Sequence, residues 1–224
     1  MKCRLQNTRI LTSKELLTIL RKSAILYSEY VDSTLLFIFR EKKSEKYDYY
    51  EVRFGKNNFM HLAGIRSETL SANAFYEACI EGTVSRADCQ PRRNANTMYS
   101  KLAIMEQMLD LRNCKCYKIG EKNLITCDND FEMATGNAKG IIGYDSRIKI
   151  KGTNRVDKTK SPMPTTLLNN AITDYCSRPK KIMFIMQKSD TENTYNKLFY
   201  EIKKGLYETE KVFFTDELAA LIGE

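Results

Sequence analysis

The sequence predicts an α+β fold in which N-terminal helices precede a meandering antiparallel sheet, with further helices packed against the sheet. Three observations favour this class: a helical pattern near the N-terminus, strand-like runs joined by short connections, and a second group of glycine-punctuated strands after residue 113. Short connections indicate antiparallel pairing, because parallel strands need long crossovers. We expect one domain over residues 1–224, with a helical segment at 1–33 and a helical appendage at 206–224.

The first half of the chain alternates between helical and strand-like patterns. Leu16, Leu20 and Ala24 recur at helical spacing, so we predict a helix over residues 13–31 with Ser13 as its N-cap. Apolar runs separated by charged or glycine-containing segments predict three strands, at 34–40, 47–54 and 59–65. Two more amphipathic patterns, on either side of a basic turn at 91–94, predict helices at 71–82 and 97–111.

The second half begins with short apolar runs. They predict four strands, at 114–119, 124–128, 131–135 and 141–144. Residues 147–161 are basic and poor in apolar side chains, which is typical of an exposed loop. After Pro162 we predict a helix that runs to residue 176 and is capped by Thr165. A buried strand, a polar helix and a terminal helix complete the prediction, at 181–188, 191–204 and 216–222.

Composition places the chain among globular proteins. It is 42% hydrophobic and 29% charged, and its longest apolar runs are too short to cross a bilayer. Its first residues lack the apolar core of a secretory signal, so we expect a cytoplasmic protein. The formal charge of +8 favours phosphate-rich polymers, acidic proteins or anionic surfaces as partners. Seven cysteines without paired spacing and a single histidine predict neither disulfides nor a metal or other cofactor.

His61 is the only histidine of the chain. In the predicted strand it shares a face with Phe59, Ala63 and Ile65, so the imidazole sits among apolar neighbours. Imidazole is the side chain that most readily exchanges a proton near neutral pH, which makes His61 a candidate for acid–base catalysis. A core histidine satisfied by a backbone carbonyl is the other interpretation.

Several basic residues are candidate phosphate ligands. Lys101 projects into the apolar stripe of its helix, where it either snorkels to water or points a partly desolvated cation at a phosphate. Lys188 ends a buried strand, on the predicted face of Ile182, Phe184 and Met186, and points either into a cleft or to solvent. Nucleic acid could also be held by the basic turn and the basic loop, through Arg92, Arg93, Lys149, Lys151, Arg155, Lys158 and Lys160, although a solvated basic face explains them equally well.

Thr165 and Thr166 stand at the predicted start of a helix. They are either ordinary capping residues or hydroxyls that contact a phosphate at the helix N-terminus. The chain has no phosphate-binding P-loop, no dinucleotide-binding glycine motif, no H-E-x-x-H zinc motif and no G-x-S-x-G nucleophile motif. These absences leave the single imidazole and the basic residues as the candidates for chemistry.

Five segments together resemble one nuclease family. They are Phe-Met-His-Leu-Ala-Gly-Ile at 59–65, Ala-Phe-Tyr at 74–76, the helix of Lys101, Pro-Thr-Thr-Leu-Leu at 164–168 and the strand 182–188. The chain resembles the phage-associated branch of the barnase, EndoU, colicin and RelE-like (BECR) nucleases, whose members carry F-x-H-L-T-G and P-x-T/S-L-L segments. The similarity covers residues 10–205.

The resemblance implies a metal-independent endoribonuclease of phage or prophage origin that acts on tRNA or mRNA, as a toxin or in host takeover. A base would remove the proton of the ribose 2′-hydroxyl, and an acid would protonate the departing 5′-oxygen. It implies His61 as the proton-transfer group, Lys101 and Lys188 as phosphate ligands or the second proton donor, and a hydroxyl of Thr165 or Thr166 on the phosphate. The chain departs from the family pattern at Ala63, where a threonine is expected. If that hydroxyl helps to bind the scissile phosphate, its loss would weaken or abolish activity.

Two other functions fit the same sequence. One is a non-catalytic anti-defence or host-takeover protein that binds a host defence protein, an antitoxin or nucleic acid through its basic surface. The other is an NAD-using protein similar to ADP-ribosyltransferases, which would need a glutamate facing His61 across a cleft. Cleavage of RNA that depends on His61 would distinguish the enzyme from the binding protein.

Overall fold

The structure, a computed structural model, describes residues 9–40, 46–123, 131–146 and 161–223. Over these ranges it has six α-helices and a large antiparallel sheet, which confirms the predicted α+β class. The helices are α1 (Ser13–Ser28), α2 (Lys56–Leu62), α3 (Ala72–Glu81), α4 (Ala95–Leu109), α5 (Leu206–Glu210) and α6 (Asp216–Ile222). The strands are β1 (Ser33–Arg40), β2 (Tyr47–Phe54), β3 (Ile65–Arg66), β4 (Gln90–Pro91), β5 (Lys118–Glu121), β6 (Met133–Gly136), β7 (Ile141–Asp145), β8 (Met163–Leu168), β9 (Lys180–Ser189) and β10 (Lys197–Glu201).

One open sheet contains eight of these strands, in the order β2-β1-β9-β5-β6-β7-β8 with β10 also paired to β9. The hairpin β1–β2 and the run β5 to β8 each follow chain order, as a meander does. Strand β9 lies between them and pairs antiparallel with both β1 and β5. A strand from late in the chain therefore joins two meanders that come from early and middle segments.

The central strand β1 is buried on both faces, as its unbroken apolar sequence requires. Leu35 and Phe37 pack in a cluster with the four N-terminal helices, whereas Leu36 and Ile38 pack in a second cluster with Tyr207 and Leu218 of the C-terminal helices. Alternation along β1 thus separates two apolar layers. None of the helices in the described ranges is long and apolar enough to cross a membrane.

Most predicted elements of the N-terminal half are present. The N-cap of helix α1 is Thr12 rather than the predicted Ser13, and the helix ends at Ser28 rather than at residue 31. The Thr12 hydroxyl accepts a hydrogen bond from the backbone of Glu15, whose carboxylate accepts one from the Thr12 N–H at 2.9 Å. Helix α3 lies within the predicted range, follows a Ser71 cap and ends at Gly82 in the left-handed conformation that glycine favours.

The predicted strand at 59–65 is wrong, since residues 56–62 form α2. The Oδ1 atom of Asn58 accepts a hydrogen bond from the Gly55 N–H at 3.1 Å and thereby caps the first turn. Phe59, Met60 and Leu62 are all buried, which a helix end packed against both α3 and β8 permits. A short apolar run of this length fits a strand or a helix equally well, and the cap decides the outcome.

Two predicted helices in the C-terminal half are also wrong. Residues 163–168 form β8, which pairs with β7, and residues 197–201 form β10, which pairs with β9. Both segments hydrogen-bond to a neighbouring strand, and this tertiary context overrides a local helical pattern. Only a 3₁₀ turn at Ile172–Asp174 remains of the helix expected up to residue 176. The predicted strand 124–128 and residues 147–160 of the predicted loop lie outside the described residues.

Candidate active site

A cavity of about 500 Å³ opens between α2, the start of α4 and strand β8. Six of the residues singled out from sequence line it, although they come from four separate segments of the chain. The lining residues are Asn57, Asn58, His61, Gly64, Arg92, Arg93, Thr97, Lys101, Asp145, Pro164, Thr165, Thr166 and Leu168. Three positive charges and one imidazole therefore share one concave surface.

Helix α2 holds His61 against β8. Asn58, one turn earlier on the same side of α2, donates from its side-chain nitrogen to the Pro164 carbonyl at 3.2 Å. The His61 imidazole hydrogen-bonds to the backbone of the next residue, Thr165. Two side chains of α2 thus hydrogen-bond to the backbone of two successive residues of β8. This ladder of two hydrogen bonds fixes the direction of the imidazole.

The pKa of His61 is lowered from its usual value to about 4. Burial is the main cause, and the positive charges of Lys101, Arg92 and Arg93 lower the pKa further. The hydrogen bond to the Thr165 backbone opposes them and favours the protonated ring, which identifies the imidazole as the donor and the carbonyl as the acceptor. At neutral pH the ring is uncharged, so its second nitrogen carries a lone pair that can accept a proton.

Lys101 lies on α4, directly across from the end of α2. Its side chain is only 9% exposed, and its Nζ donates to the His61 carbonyl at 3.2 Å. Burial, followed by repulsion from Arg93 and Arg92, lowers the pKa of Lys101 to about 8. The lysine is therefore a weakened ammonium close to its proton-transfer range at neutral pH.

Gly64 makes room for this lysine. Its φ of +71° is in the left-handed region, and a Cβ at this position would lie 2.9 Å from the Lys101 Cδ. The glycine of the His-Leu-Ala-Gly segment thus allows the chain to turn and the lysine stem to pass.

The basic turn reaches the cavity through a short pairing of β3 with β4. The Arg92 N–H donates to the Gly64 carbonyl at 2.8 Å, which places Arg92 and Arg93 beside the end of α2. Helix α4 begins directly afterwards, where the Asn94 side chain accepts from the Thr97 N–H at 2.8 Å. Two guanidinium groups and a buried ammonium near a helix N-terminus form a positive environment that suits a phosphate.

The two threonines stand at an irregular point of β8. Gly143 pairs with Thr166 and Tyr144 pairs with Pro164, so Thr165 is the additional residue of a β-bulge. Bulges redirect side chains, which explains how adjacent strand residues both line the cavity. The Thr165 hydroxyl donates to the Gly143 carbonyl at 3.3 Å, so Thr166 is the better placed of the two to donate to a ligand.

The structure does not bring Lys188 to this cavity. Lys188 lies on the other side of the sheet with Phe184 and Met186, and its Nζ is 4.5 Å from the ring centroid of Tyr195. Ile182, predicted to share that face, packs in the first cluster instead, because the β1–β9 register shifts between the partners Phe184 and Ile182. The basic residues Lys149, Lys151, Arg155, Lys158 and Lys160 lie outside the described residues.

Ala63, where the family pattern has threonine, does not line the cavity. It is fully buried in the first apolar cluster, so a hydroxyl there would face the core rather than a phosphate. The expected loss of a phosphate contact at this position is therefore wrong for this structure.

Sequence reasoning did not find Asn58, Thr97 or Asp145. Asn58 and Thr97 are ordinary polar residues in the first turns of their helices, where Asn58 accepts from the Gly55 N–H and the Thr97 N–H donates to the Asn94 cap. Asp145 ends a buried strand and is 9% exposed; it is the acid among the described residues that line the cavity. The glutamate required for an ADP-ribosyltransferase-like site is not among those lining residues.

Comparison with known proteins gives one match. The model of the PBECR4 family, described as phage-Barnase-EndoU-ColicinE5/D-RelE like nuclease, matches residues 19–204. Searches of curated proteins and of solved structures find no similar protein. The matched range contains every residue that lines the cavity.

Proposed function

We propose that this chain, which belongs to the phage-Barnase-EndoU-ColicinE5/D-RelE like nuclease family, is a metal-independent endoribonuclease. One observation supports this above all: a neutral imidazole and a weakened ammonium meet in a solvent-reachable cavity that two arginines also line. An uncharged base and a cationic acid are the pair that transfer of a phosphoryl group from one ribose oxygen to another requires. A nuclease family implies a nucleic-acid substrate, and the choice of RNA is part of the proposal.

His61 acts as the general base in this reaction. Its second ring nitrogen takes the proton of the ribose 2′-hydroxyl, and the 2′-oxygen forms a bond to the adjacent phosphorus. The bond from phosphorus to the 5′-oxygen breaks, which leaves a 2′,3′-cyclic phosphate on one product and a 5′-hydroxyl on the other. Because the ring is already neutral at pH 7, no proton has to leave it before catalysis.

Lys101 supplies the second proton. With a pKa of about 8 it is mostly protonated at neutral pH, yet it releases its proton far more easily than an ordinary lysine. It protonates the departing 5′-oxygen, while Arg92 and Arg93 stabilise the negative charge on the phosphorane. Thr166 donates a hydroxyl hydrogen bond to a phosphate oxygen.

The family match to phage-type nucleases supports a biological role in phage–host conflict, as a toxin or in host takeover. The catalytic proposal and this role are separate, since an inactive copy of the scaffold could still bind a host defence protein, an antitoxin or RNA. Cleavage therefore has to be measured before any role is assigned.

The test incubates the purified protein with tRNA and with mRNA in the presence of EDTA and compares it with His61→Ala. Lys14→Gln, a change at an exposed lysine of α1, serves as the control. We expect cleavage by the wild type and the control and a loss of about 10²-fold or more in His61→Ala. Equal RNA binding by all three proteins without cleavage would overturn the enzyme and favour the binding protein.

A further inference from the structure

A second cavity, of about 380 Å³, lies near the C-terminal end of α4. The tight turn between β6 and β7 forms one wall, and the 3₁₀ turn at Ile172–Asp174 forms another. Its lining residues are Gln107, Cys116, Lys118, Asn137, Ala138, Lys139, Ile172 and Thr173. No residue of the proposed catalytic group is among them.

Asn137 supplies this cavity with a polar side chain whose position is fixed by hydrogen bonds. Its side chain is only 8% exposed, and its Oδ1 accepts hydrogen bonds from the backbone N–H groups of Lys139 and Gly140 at 2.7 and 3.3 Å. Its backbone carbonyl accepts from the Ile172 N–H at 2.9 Å. Among the described residues nothing accepts from its side-chain amino group, so a donor that is held in place by the turn and reached by solvent is left for a ligand.

The chemistry of the walls fits a nucleotide. Ala138 is exposed and offers an apolar contact for a base, whereas Ile172 lines the cavity from the core with only 2% of its surface exposed. The Asn137 amino group can donate to a ring nitrogen or a carbonyl of that base. Lys118 and Lys139 are exposed at the rim, where an ammonium can reach a phosphate and remain hydrated. An amide donor, an apolar surface and two rim cations together match a base and its phosphate.

The second cavity is close to the first. Leu168 lines the catalytic cavity and Ile172 lines the second one, and four residues of chain span at most about 14 Å. Along α4, Lys101 of the first cavity and Gln107 of the second are six residues apart, which is about 9 Å of helix rise. A strand of a few nucleotides is therefore long enough to reach from one cavity to the other.

We propose that the second cavity binds a flanking nucleotide of the same RNA strand whose phosphate is cleaved at His61. This rests on the proposed function, and it adds a substrate subsite that lies outside the catalytic group. The subsite contributes to binding and to the choice of the flanking base, and it takes no part in proton transfer.

The experiment uses mixed-sequence strands of two and six nucleotides made of 2′-O-methyl RNA, whose blocked hydroxyl prevents cleavage. Fluorescence anisotropy measures their Kd for the wild type, Asn137→Asp, Ala138→Phe and the control Lys14→Gln. Asn137→Asp keeps the oxygen that the turn needs and removes the amino donor, whereas Ala138→Phe fills the cavity. Thermal unfolding shows that each variant is folded.

We expect both subsite variants to weaken binding of the six-nucleotide strand by about tenfold and to leave the two-nucleotide strand unchanged. The control should match the wild type for both lengths. Unchanged binding of the longer strand in folded variants, or an equal loss for both lengths, would overturn the subsite.

Cys116 provides an independent readout, because its thiol is exposed and lines the cavity. Bound six-nucleotide strand should slow alkylation of Cys116 at least fivefold, measured by peptide mass spectrometry, and a free mononucleotide at equal concentration should not. Equal protection by the mononucleotide would identify a site for free nucleotides and would overturn the strand subsite.

The subsite and the proposed function can fail separately. If no RNA is cleaved but binding still depends on strand length and on Asn137, the ribonuclease proposal is wrong and the strand subsite stands. If two- and six-nucleotide RNA substrates are cleaved with the same kcat/KM, the subsite is wrong and the ribonuclease stands.

Discussion

Lys101 and Lys188 belong to similar sequence patterns and to opposite faces of the molecule. Each interrupts an apolar stripe, one on a helix and one on a strand. Lys101 is buried beside Arg92 and Arg93, and its pKa falls to about 8. Lys188 is half-buried, and its ammonium rests on the Tyr195 ring, where an attractive cation–π contact replaces repulsion.

The groups around a lysine ammonium therefore decide whether that ammonium is available for chemistry. On the catalytic face, cations gather where α2, the basic turn and α4 converge, and no carboxylate within the described ranges forms an ion pair with Lys101. On the other face, tyrosine hydroxyls donate hydrogen bonds to carboxylates, as Tyr47 does to Glu210 and Tyr195 to Glu51. The first face is electrostatically strained and open, whereas the second is satisfied and covered by the C-terminal helices.

The largest effect is expected from a matched pair of substitutions, one on each face. Lys101→Gln should lower RNA cleavage by about 10²–10³-fold, because it removes the cation that meets the developing charge. Lys188→Gln removes the same charge from the other face and should leave kcat/KM within about twofold of the wild type. Cleavage rates on one RNA measure both, and equal losses would show that the two lysines do not differ in role.

The pH dependence of cleavage tests the protonation states of His61 and Lys101. His61 must be neutral, so the rate should rise tenfold per pH unit as pH increases toward about 4 and then level off. Lys101 must be protonated, so the rate should fall above about pH 8. In Lys188→Gln both limbs should stay in place. A single limb near pH 6.5 in the wild type would contradict the low pKa of His61.

Asn58 tests whether the ladder between α2 and β8 orients the imidazole. Asn58→Ala leaves the Gly55 N–H and the Pro164 carbonyl without their partner, which should lower the free energy of unfolding by about 1–3 kcal/mol. The kcat should fall about tenfold while KM stays the same, since His61 is displaced and the phosphate ligands are not. Asn196→Ala, at an exposed asparagine near Glu192, is the control. A rise in KM with an unchanged kcat would place Asn58 in substrate binding instead.

The smallest effect is expected on the satisfied face. Tyr49→Phe removes an exposed hydrogen bond to Glu217, which should cost less than about 1 kcal/mol of unfolding free energy. The same bond raises the pKa of Tyr49 to about 12, and burial contributes less. Denaturant unfolding and RNA cleavage measured on one preparation check this, and a drop in cleavage would show that the two faces are coupled.

The sequence was sufficient for elements whose local signals agree with their surroundings. In α1 and α3 a cap precedes an apolar stripe, and in β1 and β2 strand-like runs face each other across a short connection. It was insufficient for α2, β8 and β10. Helix α2 starts at a cap made by Asn58, whereas β8 and β10 form by pairing with other strands. A local sequence pattern shows neither the cap nor the pairing.

The candidate site shows the same division. Lys101 could be predicted because a charge in an apolar stripe is locally anomalous, and His61 because it is the only imidazole. The strand argument for His61 was nevertheless wrong, since it stands on a helix. Asn58 and Asp145 carry no local anomaly, and only the packing of α2 on β8 and the end of β7 brings them to the cavity.

The central claim is tested most directly with an oligonucleotide that contains one ribonucleotide among deoxyribonucleotides, incubated in EDTA. Mass spectrometry of the products should show a break only after the ribose, with a 2′,3′-cyclic phosphate and a 5′-hydroxyl, and no break with His61→Ala. Cleavage at deoxyribose positions, or the same products from His61→Ala, would contradict general base catalysis by His61.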